Sequence, residues 1–144
     1  NLLKNMISFY QMVSLNILSI STSTDRHIRY LKPGGAILIM IPNKRHLRKW
    51  YGWLVDYENL KAHNLKCMNL STFRNFAQRN NLTIKHLSYH GGFAYRVHQP
   101  LNLLQKLIYK VVRATSKKIN PFLEAHPHVL YSRTIVGIFH KPYA

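Results

Sequence analysis

Residues 44 to 57 hold the densest chemistry in the sequence, with Lys44, Arg45, Arg48 and Lys49 beside Trp50, Tyr51, Trp53 and Tyr57. Cations neutralise phosphates and flat rings stack on bases, so this mixture suits a nucleic-acid surface. It also suits an amphipathic lid over a pocket, and that is the expected role because the segment directly follows an apolar run that ends at Pro42. Asn43, just past that run, carries an amide where the carboxyl ends of strands in an open α/β sheet bind ligands; capping the next loop is its other natural role. Tyr95 and Arg96 follow Gly91-Gly92-Phe93. They can reach an anionic or hydroxylated substrate, or form an ordinary loop with a solvated arginine.

Other chemistries find little support. His126-Pro127-His128 and the pair His86 and His90 invite zinc, but Cys67 is the single thiol and no HExxH spacing occurs, so no metal is expected. No serine sits in a nucleophile elbow, and Cys67 lies in a Lys-Cys-Met context without a catalytic motif. One cysteine also excludes an internal disulfide, which suits a reducing compartment and makes the cytoplasm the expected location.

The charge balance is lopsided: 21 Lys and Arg face four acids, a formal net charge of +17. A nucleic acid or phosphate-bearing substrate, an anionic membrane surface, or an acidic N-terminal half preceding this fragment would each offset it. The longest apolar run, Ala36 to Ile41, falls far short of the roughly 20 residues needed to span a bilayer. At 144 residues the chain suits one domain piece; beginning at Asn1 without a charged leader, it reads as a fragment.

The elements that position these residues are legible in part. Ala36-Ile37-Leu38-Ile39-Met40-Ile41, between Pro33-Gly34-Gly35 and Pro42-Asn43, reads as a buried parallel strand. A helix from about Asp25 to Leu31 precedes it, stopped by Pro33. A second helix is expected from Ser71 to about Asn80, with Phe73, Phe76 and Ala77 on one face and Ser71 as the cap. Leu82 to Tyr89 reads as an edge strand whose alternation slips near Lys85 and His86, the mark of a bulge. Thr134 to His140 is the last strand. Within a helical insert at about residues 98–128, Pro100 to Lys118 predicts an amphipathic helix ended by Asn120-Pro121. Its Leu104, Leu107, Ile108, Val111 and Val112 stripe is expected to pack on the domain, leaving Lys106, Lys110, Arg113 and Lys117 solvated; docking on an anionic membrane is the alternative. Met12 to Ile20 is apolar enough for either strand or helix.

Taken in order, these pieces resemble the C-terminal part of a Rossmann-like, class I S-adenosylmethionine-dependent methyltransferase, over about residues 24 to 142. Leu31-Lys32-Pro33-Gly34-Gly35 resembles the turn before that family's fifth strand, and Ile41-Pro42-Asn43 resembles the strand tip of its small-molecule branches. Ile135 to Pro142 resembles the seventh strand, and Met12 to Leu18 the fourth, although Ser19-Ile20 stand where many relatives carry Glu-His. The resemblance implies an α/β fold with a mixed sheet, its last strand antiparallel between the Ala36 strand and the edge strand. It also implies methyl transfer to a small-molecule or carrier-linked acceptor, and His63 near the substrate with Asn43, Tyr95 and Arg96. The glycine-rich loop and the ribose-binding acid that hold the cofactor have no counterpart here, so no cofactor-binding residue is assigned and the chain alone is expected neither to bind S-adenosylmethionine nor to be active. A basic nucleic-acid-binding or RNA-modifying module is the rival class.

Overall fold

The computed structural model describes residues 12–14 and 28–143. Within it, β1 (Met12–Ser14) is followed by β2 (Ala36–Pro42), α1 (Leu47–Val55), α2 (Tyr57–Lys61) and a short 3₁₀ turn at Leu65–Cys67. Then come α3 (Leu70–Arg79), β3 (Thr83–His90), α4 (Leu103–Ala125) and β4 (Thr134–His140). The sheet order is β1-β2-β4-β3, with β1 parallel to β2 and β4 antiparallel to both its neighbours. The fold is therefore mixed α/β, with β4 inserted between β2 and the edge strand as expected. Residues 28–30 are helical, whereas the expected start of that helix at Asp25 and the pair Ser19-Ile20 lie outside the described residues.

Two glycines shape the entry to β2. Gly34 takes a positive φ of 77°, open to glycine at no steric cost, and the turn is sewn to the end of β4 by Gly34 N to Lys141 O and Lys141 N to Gly35 O, both 2.9 Å. β2 itself alternates, with Ile37, Ile39 and Ile41 buried and the intervening residues half-buried, so its unbroken apolar run does not bury both faces equally. β4 matches this pattern through Ile135, Gly137 and Phe139.

On that buried face lies α3. Phe139 packs edge-on to Phe76 at 5.5 Å and stacks near-parallel on Phe73 at 6.2 Å. Gly137 leaves room for the rings, since a Cβ there would stand 2.6 Å from Phe139 and 3.0 Å from Phe73. The helix starts at Leu70, one residue before the expected position, and Asn69 caps it in place of Ser71 by accepting the Thr72 N–H at 2.9 Å. Asn81, at φ 52°, closes the helix in the left-handed region. β3 then pairs with β4 along its length except at Lys85, where the register shifts between Ile84 and His86. That is the expected bulge.

α4 departs furthest from expectation. It starts at Leu103 behind an Asn102–Gln105 capping box and runs 23 residues, through Pro121 to Ala125. Proline removes one amide and frees the Lys117 carbonyl, but both residues face solvent, where water can take that carbonyl. Its expected apolar stripe is packed inward only in part: Ile108 and Val112 are half-buried, whereas Leu104, Leu107 and Val111 are 67, 60 and 59% exposed. The inward side carries polar groups that meet backbone: Gln105 donates to the Leu54 carbonyl of α1 at 3.0 Å, and Tyr109 meets the Tyr95 ring. Asn120 accepts the Phe93 N–H at 2.8 Å and donates to its carbonyl at 3.0 Å.

Because the Phe73–Phe76–Phe139 cluster joins α3 to the sheet, Phe139→Ala should cost about 3–5 kcal/mol of unfolding free energy by urea denaturation. Leu107→Ala on the exposed stripe should change it by less than about 0.5 kcal/mol.

Candidate functional site

The carboxyl end of β2 is where backbone and side-chain constraints converge. Asn43 is fully buried, and its amide donates to the carbonyls of Val129 at 3.0 Å and Ser132 at 2.9 Å. Its backbone N–H reaches Arg133 O at 2.8 Å, and Arg48 closes the clamp by donating to the carbonyls of Asn43 and Arg133, each at 2.8 Å. Asn43 thus ties the strand tip to the loop entering β4. It does not line the neighbouring pocket, and the next residue, Lys44, does.

That pocket, about 50 Å³, is lined by Lys44, Arg48, Tyr51, Asp56, Asn59 and Arg96 among others. It has room for a few waters or a small oxyanion. His46, at φ 51°, turns the chain from β2 into α1, whose Tyr51 and Gly52 form one wall. The expected lid over residues 44–57 is therefore a wall, with Trp50 and Trp53 turned to solvent at 67 and 58% exposure. Tyr51 donates its phenol to the Tyr95 carbonyl at 2.7 Å, and burial pushes that phenol up to about 12, so it stays protonated. Tyr95 serves through its carbonyl and stacks edge-on to Tyr109 at 6.3 Å. Arg96 is exposed at the pocket rim.

α2 supplies the floor. Lys44 Nζ donates to Asn59 Oδ1 at 2.6 Å, and Asn59 Nδ2 donates to Asp56 Oδ2 at 2.6 Å. Asp56 also accepts the His98 N–H at 3.2 Å and faces His98 Nδ1 at 3.1 Å. Burial opposes its charge, but these bonds from Asn59 and His98 outweigh it and hold the carboxyl below its usual range. Burial first, then the Arg48 guanidinium, lowers Lys44 to about 8.

His63 Nδ1 lies 2.6 Å from the Asn59 carbonyl, which can only accept, so Nδ1 carries the proton. Lys44 Nζ at 3.3 Å then cannot donate to it and acts as a neighbouring charge. Burial, with Lys44 and Arg48 adding to it, lowers the imidazole and leaves it neutral near pH 7. The sequence-assigned residues thus separate: Arg96 borders the basic pocket, His63 stands behind its Lys44 and Asn59 without lining it, and Asn43 and Tyr95 brace it. Asp56, Asn59 and His98 escaped the sequence reading. The one available signal was Asp56, one of four acids in a chain of net charge +17.

The Lys44 pocket itself does not fit S-adenosylmethionine: both carboxylate oxygens of Asp56 are engaged, and the cavity is too small for a nucleoside. Among the described residues no three His, Cys, Asp or Glu side chains converge where a metal ion could bind. Compared with models of known protein families and with curated proteins, the sequence matches none.

If Lys44 is the cation that depresses His63, Lys44→Met should raise the His63 titration midpoint. Proton NMR should place the native midpoint below 6.5 and move it upward in the variant; an unchanged midpoint would remove Lys44 from the site's electrostatics.

Proposed function

We propose that the chain forms the substrate side of a class I S-adenosylmethionine-dependent methyltransferase domain acting on a small or carrier-linked acceptor with an anionic group. One observation carries the reading: strand order β1-β2-β4-β3, with a parallel first pair and an antiparallel β4 inserted before the edge strand, is the order the family resemblance implies. Ligands of open α/β sheets bind outside the carboxyl ends of the strands, and the Lys44 pocket lies just past the end of β2.

The roles follow from the residues. Lys44, Arg48 and Arg96 attract and hold an anionic group, and Asp56 keeps Asn59 in place beneath Lys44. His63, neutral with its proton on Nδ1, has Nε2 without a hydrogen-bond partner among the described residues and so available to accept a proton. The cofactor's own contacts are assigned to no residue of this chain. The rival reading, an RNA-binding module, draws on a separate outer groove lined by Arg45, Lys49, Trp50 and Lys66.

Calorimetry separates these. S-adenosylmethionine should produce no saturable heat, and a low-micromolar Kd would overturn the restriction to the substrate side. Sulfate, which does not itself titrate here, should bind about tenfold more weakly at pH 9 than at pH 7 as Lys44 loses its proton through about 8, and Lys44→Met should abolish that dependence. Submicromolar RNA binding with a steep salt slope, lost on Trp50→Ala and Trp53→Ala, would replace the methyltransferase reading with the rival.

A further inference from the structure

Helix α4 has three faces, and the fold uses one of them. Gln105 donates to the Leu54 carbonyl at 3.0 Å, Tyr109 meets Tyr95, Ser116 is buried and Asn120 holds Phe93. On another side lie Leu104, Leu107, Val111 and Phe122, each between 59 and 67% exposed. Along the third run Lys106, Lys110, Arg113 and Lys117, all exposed. Steps of three, four, seven and eleven residues, each close to a whole number of turns, keep each set on its own side over about 35 Å of helix.

No described residue covers the apolar side, which Thr115 and Lys118, both exposed, interrupt between Val111 and Phe122. A lysine there can snorkel to a polar boundary, and an apolar stripe facing water marks a surface made for a partner. The neighbouring basic row identifies the partner's chemistry. Glu124 is the single acid of α4, so the complement is apolar within and anionic at its boundary. We propose that α4 lies in the interface of an anionic lipid bilayer, with Leu104, Leu107, Val111 and Phe122 among the acyl chains and the lysines on headgroup phosphates. An RNA would engage the basic row and leave the stripe wet. A second copy would bring another basic row, and another net charge of +17, against the first. No helix among the described residues is long and apolar enough to cross a membrane, so α4 lies on the surface. The Gln105–Leu54 bond ties its first turn to α1, where the exposed Trp50 and Trp53 are of the type that favours the bilayer interface. This inference is independent of the methyl-transfer reading.

Vesicle flotation tests it. The chain should float with vesicles of 7:3 phosphatidylcholine and phosphatidylglycerol, and bind pure phosphatidylcholine at least tenfold more weakly. The triple variant Lys106→Gln, Lys110→Gln, Lys117→Gln should lose about a hundredfold in affinity. Leu107→Asn with Val111→Asn should abolish flotation while leaving the thermal melt unchanged, because both side chains are exposed. Three outcomes would overturn the proposal: no flotation of the native chain; flotation retained by the stripe variant, which would reduce the effect to charge adsorption; or a dimer in sedimentation that the stripe variant dissolves, which would assign the stripe to a second copy.

Discussion

A single buried amide organises this protein. Asn43, at the tip of β2, spends its side chain on the carbonyls of Val129 and Ser132 and its backbone N–H on Arg133, so the loop entering β4 is fixed to the strand beside which β4 must pair. Leaving such donors and acceptors unpaired in the interior costs about 1–3 kcal/mol each, which makes the arrangement all-or-none. Arg48 adds two bonds to the same carbonyl edge, and that fixes the first turns of α1. Lys44 follows Asn43 directly and is thereby held with its ammonium against Asn59. The pocket is a consequence of how the sheet ends.

Electrostatics within the pocket follow from crowding. Lys44 and Arg48 stand near each other partly out of water, and burial with this repulsion lowers the lysine to about 8. Asp56 is the nearby counter-charge, held by Asn59 and His98 instead of by a direct bond to Lys44. The site therefore keeps unspent positive potential, and a small oxyanion is the species that would relieve it.

What the sequence disclosed divides along a physical line. Strand positions were legible where apolar content and turn residues agree, as at Ala36 to Pro42 and Thr134 to His140, and the phase slip at Lys85 appeared as a register shift because alternation is a direct imprint of facing. The cap of α3 was misplaced by two residues because asparagine and serine both accept N–H bonds from a first turn. The facing of α4 was legible only in part. Periodicity reveals that a helix has an apolar side, but not whether the domain offers it an apolar surface, and here the dock includes backbone that needs polar partners such as Asn120. In the same way Asp56, Asn59 and His98 carry no motif; they meet only because α1 and α2 turn back beside residues 94–98.

The central claim is that the strand tip builds an anion site from Lys44, Arg48 and Arg96, and the most direct measurement is an amide and side-chain NMR titration of the intact chain with sulfate at pH 7. The account predicts saturable shifts concentrated on Lys44, Arg48, Asn59 and Arg96, with α4 unmoved. Shifts that instead spread without saturation over Lys106, Lys110 and the other exposed cations, leaving Lys44 unmoved, would contradict it.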